Sequence, residues 1–439
     1  MITIFGKTNK FCNLNRRSFL KIGGFSMSAF GGINVFSNEF KPKSKKSIIH
    51  IFLAGGPSHL DTWDVKKDAP REIRGEFSSI QTSISGIEIC ECFPKLALLM
   101  DKISIIRSIT GSLDAHDSHQ CLTGYDRKNM ESIGGRPSIG SVLSKIYGQK
   151  DLSVPSSVIL NERTQHLPWS YGGTGGFLGN AYNSFNPNGN GMDDLVLNGI
   201  SLDRLNDRKA LLSSLDKISV NLEKYQAVNS FRDAAFGVLT SSKLADALNL
   251  DSESEELKVR YGTGRPFNFQ YDGATTDNSK LLIARRLVEI GVQSVTLSYG
   301  RWDSHGNNFD LIRDHGSKLD NCLSALIEDL NSKSMLNDTL VLVWGEFGRT
   351  PRINKDGGRD HWPLVNSCLM IGGGLKTGQI IGSTNRLGES VASRPVHIQE
   401  VLSTVYHTLG IDVMNSTIND PTGRPQFLLD NRNVIPELI

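Results

Sequence analysis

Four short segments of this chain bring carboxylates together with imidazoles, the combination that holds divalent metal ions in proteins. Their sequences are AGGPSHLDTWD, DAHDSHQCLTG, GRWDSHGNN, and WGEFGRTP followed by GRDHWP. Zinc, manganese and iron suit such a mixed set, and calcium suits a set in which carboxylates dominate. The candidate ligands are Asp303, His305, Glu346, His361, His116 and His119.

Asp303 and His305 have the spacing expected of two ligands on one side of the backbone. Residues i and i+2 of an extended chain point the same way, and this pair directly follows a predicted buried strand. Glu346 has two interpretations: it binds the ion, or it caps a helix and pairs with Arg349 three residues later. The sequence leaves both open.

His116 and His119 would lie one turn apart if their segment begins a helix, so that both could face one ion, either completing the site of the other four residues or holding a second ion. As polar residues at the start of a helix they would need no such role, and the two interpretations stand equal. Asp61 is similarly open between a ligand and a structural residue. The lower-ranked candidates of the four segments are Asp61, Asp114 and Asp360.

Continuous apolar runs predict the strands that would position these segments. They cover residues 47–54, 103–109, 292–300, 339–345 and 367–374. Helical patterns lie between them, SKLLIARRLVEIG before the third run and FDLIRDHGSKLDNCLSALIEDLNSK before the fourth. This alternation predicts an α/β fold, a mostly parallel sheet with helices on both faces. In such a sheet, ligands bind where strands end and loops begin.

The chain is predicted to form one large domain. Residues 1–40 are a signal region, and residues 41–439 are the domain, with a helical insertion at about 201–260 where leucines recur at helical spacing. Residues 161–200 are rich in Gly, Asn and aromatic residues and predict long loops. Loops of that length in a compact domain are usually functional or mobile.

Composition excludes several classes of protein. Of the 439 residues, 38% are hydrophobic and 21% are charged, which is typical of a soluble globular protein and not of a disordered or fibrous one. The formal net charge of +2 gives no indication of a nucleic-acid-binding protein, for which a clustered basic face is expected. The cysteines are scattered and predict neither a disulfide framework nor a zinc motif.

The N-terminus carries an export signal. Residues 15–21 read NRRSFLK and precede a weakly apolar, Gly-rich stretch without acidic residues. Paired arginines before such a stretch are typical of the twin-arginine export machinery, which moves folded proteins. The stretch is too short and too rich in Gly to favour a membrane anchor. We therefore expect the mature protein in the periplasm or cell envelope, without a transmembrane anchor.

Six longer motifs resemble the DUF1501 family of exported bacterial proteins over nearly the whole mature chain. They read LAGGPSHLDTWD, PREIRGEF, ARRLVEIGV, GRWDSHGNNF, VWGEFGRTPRIN and GGRDHWP, in this order. That family in turn resembles the alkaline phosphatase superfamily, which includes the sulfatases. The resemblance implies an alkaline-phosphatase-like fold, although no defined activity comes with the family.

The metal-binding pattern of the superfamily can be matched residue by residue. Asp303 and His305 match its first Asp-plus-His pair, and His361 resembles its final His. Glu346 stands at the Asp of its second pair, where Phe347 replaces the His. HDSHQCLTG is similar to the sulfatase nucleophile segment, but residues 114–116 stand where a Cys or Ser is expected. Residues 54–56, Ala-Gly-Gly, replace the usual first-strand Asp unless Asp61 serves.

The resemblance implies a metal-dependent hydrolase of sulfate or phosphate esters, including esters on polysaccharides. The ion would polarise the ester oxygen and lower the pKa of a bound water, while Arg349 and Arg359 would neutralise the tetrahedral oxyanion. The alternative is a non-catalytic envelope protein that keeps the fold and binds a glycan or a partner protein. The sequence fixes neither the metal nor the substrate.

The export signal makes a direct prediction. Replacing both Arg16 and Arg17 by Lys should leave the precursor in the cytoplasm, because the paired guanidinium groups are what identifies the signal. Cell fractionation and immunoblotting measure this. Normal export and processing of the double variant would exclude the twin-arginine route.

Overall fold

The computed structural model describes residues 46–188, 237, 241–264 and 273–439. The strands are numbered along the chain: β1 (Ser47–Phe52), β2 (Ser79–Gln81), β3 (Glu88–Cys90), β4 (Ile103–Thr110), β5 (Ser157–Ile159), β6 (Ser294–Ser298), β7 (Thr339–Trp344), β8 (Gly348–Arg349), β9 (His361–Trp362), β10 (Asn366–Gly372), β11 (Gln379–Ile381), β12 (Ser383–Thr384), β13 (Val391–Ser393), β14 (Val396–His397), β15 (Thr417–Asn419) and β16 (Pro425–Phe427). The helices are α1 (Arg71–Arg74), α2 (Pro94–Leu98), α3 (His119–Thr123), α4 (Ile139–Tyr147), α5 (Lys243–Leu248), α6 (Glu255–Tyr261), α7 (Ser279–Glu289), α8 (Asn308–Ser332) and α9 (Ile398–Thr408).

An eight-stranded sheet forms the centre of the structure. Its order is β11-β4-β10-β7-β1-β6-β5, and β14 pairs with β4 beyond the end of β11. All neighbours are parallel except those of β10, which runs antiparallel to both β4 and β7. The 21 residues between β7 and β10 contain no helix, so the chain returns without the crossover that a parallel strand requires. The predicted α/β class and mostly parallel sheet are confirmed.

The apolar runs form strands because both faces of the sheet are covered. Successive side chains of a strand point to opposite faces, and those of β1 divide accordingly between two hydrophobic cores. Ile49 and Ile51 pack in the core that contains α7 and α8, whereas Ile48 and Phe52 pack in the core that contains α4 and α9. All five predicted strands are present, and every residue of β1, β6, β7 and β10 is buried.

Strand register brings three loops to the same height at one edge of the sheet. Phe52, the last residue of β1, pairs with Ser298 at the end of β6 and with Trp344 at the end of β7. The segments that follow these strands are the ones that carry Asp303 and Glu346. Because the strands are parallel, their carboxyl ends open onto one side of the sheet.

Three predicted regions fall wholly or partly outside the described residues. They are the signal region, 1–40, residues 189–200 of the predicted long loops, and residues 201–236 and 238–240 of the predicted helical insertion. Within the insertion range, α6 and α5 are described, and they pack against α7 and α8. No helix of the described chain has the length and apolar character needed to cross a membrane.

A buried ion pair joins the loop after β1 to the segment before β9. Arg359 donates from Nε to Asp61 Oδ2 at 2.6 Å and from Nη2 to Asp61 Oδ1 at 3.1 Å. Both side chains are fully buried. The remaining donors of Arg359 bond the main-chain oxygens of Thr350, Pro351 and Ile73. The guanidinium therefore has no donor left for a substrate, and the predicted catalytic role of Arg359 is not supported.

Asp61 is likewise a structural residue. Besides Arg359, its carboxylate accepts hydrogen bonds from Ser58 Oγ at 2.6 Å and Asn308 Nδ2 at 2.9 Å. Four donors thus occupy a group that the sequence left open as a metal ligand or a substitute for the first-strand Asp. The structure places Asp61 in this buried network and outside the candidate metal centre.

Removing one partner of a buried pair leaves the other charge uncompensated, which costs about 3–5 kcal/mol. Asp61→Ala should therefore lower the free energy of unfolding by about that amount, measured by urea denaturation. Asp68→Ala, which removes an exposed carboxylate of the same segment, should change it by no more than about 0.5 kcal/mol. Equal effects of the two substitutions would contradict the assigned role of Asp61.

Candidate metal centre

Side chains from three loops and one short strand converge at the carboxyl edge of the sheet. His116 follows β4, Asp303 and His305 follow β6, and Glu346 follows β7 directly. His361 lies on β9, whose pairing with β8 sets it opposite Arg349. The predicted convergence of these segments is observed, although not every candidate ligand joins the cluster.

Asp303 Oδ1 lies at the centre of three imidazoles. It is 3.1 Å from Nε2 of His305, 3.4 Å from Nε2 of His116 and 3.8 Å from Nε2 of His361. The Nε2 atoms of His305 and His361 are 3.1 Å apart. One ligand atom from each of these four residues lies within 4.8 Å of all the others, a spacing at which the set could hold one metal ion. Among the described residues this is the one such group.

Each imidazole is held by a carboxylate at its other nitrogen. The Nδ1–carboxylate distances are 3.1 Å for His116 and Glu346, 2.7 Å for His305 and Asp360, and 2.7 Å for His361 and Asp114. In the neutral form of each ring, a carboxylate at Nδ1 favours the tautomer that carries the proton there, which leaves the Nε2 lone pair for the centre of the cluster. Metal-binding histidines in proteins almost always have such partners.

The charges of the cluster also fit a divalent cation. Four carboxylates are present, from Asp303 and the three partners of the imidazoles, and two guanidinium groups touch Asp303. Arg349 Nη2 is 2.6 Å from Oδ1, and Arg301 Nη2 is 3.3 Å from Oδ2. With neutral imidazoles, two negative charges remain, which one divalent ion would neutralise. The donor set and its charge therefore fit a metal such as zinc or manganese.

The pKa values of His116 and Asp303 reflect the charges that surround them. Burial opposes protonation of His116, but hydrogen bonding to Asp303 and Glu346 outweighs it and raises the pKa of His116 to about 9. Burial alone would raise the pKa of Asp303. Hydrogen bonds from His116 and His361, together with the charge of Arg349, instead hold the pKa of Asp303 well below its usual range.

Glu346 orients an imidazole and is not part of the ligand group. Its buried carboxylate accepts hydrogen bonds from the main-chain N–H of Gly55 at 2.9 and 3.1 Å and from Trp169 Nε1 at 3.1 Å, besides its contact with His116. Neither sequence interpretation of Glu346 matches this arrangement. It follows a strand without capping a helix, and no hydrogen bond joins it to Arg349 within the part of the chain that is described.

His119 does not join the cluster. Helix α3 begins at His119, so His116 lies in the preceding loop, and the two residues do not share a helical face. The buried ring of His119 packs beside Tyr171, with centroids 5.6 Å apart. Burial is also the main cause that lowers the pKa of His119 to about 4. Of the proposed ligand pair, His116 therefore belongs to the cluster, whereas His119 is a buried histidine of the core.

Arg349 lies behind Asp303, away from any path for a substrate. Its side chain is fully buried, and it donates to the main-chain oxygens of Gly55, Gly56 and Arg359 as well as to Asp303. A guanidinium committed in this way fixes the orientation of the Asp303 carboxylate. The predicted contact of Arg349 with a substrate oxyanion is not supported, and we assign it a positioning role.

Two residues account for two departures from the superfamily pattern, the absent first-strand Asp and the absent His of the second pair. A Cβ added to Gly55 would lie 2.5 Å from the main-chain nitrogen of Asp303, and the φ of Gly55 is +104°, so an Asp cannot stand there. The buried ring of Phe347 packs 4.5 Å from that of His361 and 5.3 Å from that of His116. Backbone and a buried aromatic ring thus stand beside the cluster where the pattern would have further ligands.

Sequence reasoning missed two residues at the cluster. Trp169 anchors Glu346, and its only signal was its position in the long aromatic loop predicted to be functional or mobile. Arg301 stands two residues before Asp303 in the quoted motif GRWDSHGNN. Asp114 and Asp360 were ranked low because a carboxylate that orients a histidine has no fixed spacing from it along the chain.

Comparison with known protein families finds one that matches the sequence of this chain. A family model described as "Protein of unknown function (DUF1501)" matches residues 45–439. No curated protein sequence matches the chain.

Several solved structures are similar in fold. A lipoteichoic acid synthase, LtaP, from Listeria monocytogenes has a TM-score of 0.33 at 11% identity, over 90% of this chain and 78% of that chain. PsFucS1 sulfatase from Pseudoalteromonas sp. has a TM-score of 0.38 at 11% identity, over 90% and 74% of the two chains. The alkaline phosphatase of the Antarctic bacterium TAB5 has a TM-score of 0.33 at 12% identity, over 78% and 96%.

The carboxylate partners of the imidazoles should tune metal affinity. Asp360→Asn and Asp114→Asn should each weaken binding of zinc or manganese by about 10–100-fold, because each removes the charge that orients one ligand and makes it more basic. Isothermal titration calorimetry on the metal-free protein measures this. Asp356→Asn, an exposed position of the same loop as Asp360, should leave affinity unchanged. Unaltered binding by both test variants would contradict the metal centre as described.

Proposed function

This chain belongs to the DUF1501 family, and from its site we propose that it is an exported, metal-dependent hydrolase of sulfate or phosphate esters. One observation carries the proposal: three imidazoles, each held by a carboxylate, converge with Asp303 on a single point. Carboxylate–histidine pairs of this kind are the usual outer shell of a bound metal. The superfamily resemblance of the motifs supports the class of substrate.

The cluster is open to solvent on one side, as a catalytic site must be. The side chain of His305 is 48% exposed, whereas Asp303 and its partner Arg349 are buried. A catalytic metal site keeps a position for water or substrate, and the exposed imidazole of His305 marks the side on which such a position would lie. The exposed imidazole is where the proposed ester substrate, including an ester on a polysaccharide, would approach.

The chain's own residues would bind and orient the reactants. A divalent ion held here would supply a Lewis acid for the ester oxygen and acidify a water. Asp303 and the three imidazoles bind and place that ion, and Arg349 keeps the carboxylate of Asp303 in position. Glu346, Asp360 and Asp114 hold the Nδ1 protons of the imidazoles, so that the Nε2 atoms stay available as ligands.

No side chain of the nucleophile-like segment is suited to attack an ester, which favours water as the nucleophile. Cys121 is fully buried, and burial raises the pKa of its thiol well above the ordinary value. Ser118 is buried, and its hydroxyl donates to the main-chain oxygens of Tyr171 at 2.6 Å and Pro168 at 3.2 Å. Both residues serve packing and loop structure.

The proposal is tested with a panel of sulfate and phosphate esters assayed at known metal content. Removing the metal with a chelator should abolish hydrolysis, and zinc or manganese should restore it. His305→Ala should reduce kcat/KM by more than about 100-fold, because losing a ligand costs more than losing its outer-shell partner. His407→Ala, an exposed histidine at the last turn of α9, is the matched control.

Two outcomes would contradict the proposal. Turnover that survives complete removal of the metal would exclude the metal-dependent mechanism. Tight metal binding without turnover of any ester in the panel would favour the alternative, an envelope protein that binds a glycan or a partner.

A further inference from the structure

We propose that Arg301 binds the anionic group of the substrate, the role that the sequence pattern assigned to Arg349 and Arg359. This inference rests on the proposed function and names the residue that recognises a tetrahedral sulfate or phosphate. A guanidinium suits that task because its planar fork can donate two parallel hydrogen bonds to such a group.

Burial separates Arg301 from the other two arginines. Arg349 and Arg359 are fully buried, and their donors go to main-chain oxygens and to Asp303 or Asp61. The side chain of Arg301 is 20% exposed. Of the two guanidinium groups that touch Asp303, it is therefore the one that reaches solvent.

Arg301 contacts the same carboxylate, that of Asp303, whose other oxygen is the candidate ligand atom. Its Nη2 is 3.3 Å from Asp303 Oδ2, while Oδ1 of the same carboxylate faces the three imidazoles. An anion bound at an ion beside Oδ1 would therefore lie close to the Arg301 guanidinium. At 3.3 Å this contact is longer than a usual charge-assisted hydrogen bond.

The side chain of Arg301 is fixed in direction before any substrate arrives. Its Nη1 donates to the main-chain oxygen of Asp303 at 2.7 Å, and its guanidinium carbon lies 5.8 Å from the centre of the Trp169 ring. Gly273 packs so closely on its stem that an added Cβ would overlap it. A group ordered in this way loses little conformational entropy on binding.

Anion binding, measured separately from hydrolysis, tests the assignment. The probes are inorganic phosphate and inorganic sulfate, titrated by calorimetry into the zinc- or manganese-loaded full chain. Arg301→Gln should weaken binding of the anion by about 10–100-fold, since a hydrogen bond to a charged group contributes about 1.5–3 kcal/mol. Arg301→Lys should also weaken it, because it keeps the charge but loses the fork. Metal affinity should not fall in either variant, because Arg301→Gln removes a positive charge beside Asp303 and Arg301→Lys keeps one there.

Arg313→Gln is the matched control. Arg313 is an exposed arginine of α8 that pairs with Glu76 and Asp310, outside the cluster, and its loss should leave anion binding unchanged. Thermal melting shows whether each variant is folded. If Arg301→Gln does not fold, the Arg301→Lys variant carries the test.

Three results would overturn the assignment. The first is anion affinity that is unchanged in both Arg301 variants. The second is a parallel loss of metal affinity and anion affinity, which would show that Arg301 only positions Asp303. The third is a metal-loaded wild type that binds neither anion. If the wild type binds phosphate through Arg301 yet hydrolyses no ester, the proposed function fails while the assignment of Arg301 stands.

Discussion

The structure of this site depends on keeping like charges together at one edge of a sheet. Asp303, Glu346, Asp360 and Asp114 lie around three imidazoles, and two of these carboxylates are buried. Such a cluster is unfavourable unless cations compensate it. Arg349 supplies part of that compensation from the protein side, and its other hydrogen bonds to the loop after β1 tie the backbone to the site. The remaining charge is what would let the cluster hold an ion.

The sheet that carries the cluster follows from simple patterns. Apolar runs of β1, β4, β6, β7 and β10 identified the strands because both faces of the sheet are covered, and a doubly covered strand has no polar face to interrupt the run. The direction of β10 could not be read in this way. Direction depends on the connection before it, and the residues that form the small β8–β9 ladder give no apolar signal.

The candidate site shows which part of a site a sequence can indicate. Asp303, His305 and His361 were predicted from their spacing and their position relative to the strands. Both properties can be read from the sequence without knowing which side chains meet in the fold. Glu346, Arg349 and Arg359 have the right chemistry in the right segments, but their roles are set by partners some 10 to 300 positions away along the chain, such as Gly55 and Asp61. Asp114 and Asp360 were undervalued for the same reason. A carboxylate that supports a histidine is recognised only once the two side chains are seen in contact.

The glycine turn after β1 also restricts how this site could change over evolutionary time. An acquired carboxylate at position 55 would have to occupy the space of the Asp303 backbone, and the ring of Phe347 stands beside two of the imidazoles. Adding a carboxylate there would require the backbone of Asp303 to move as well. Substitutions at the exposed positions around the cluster meet neither obstacle, so change at this site is expected to concentrate there.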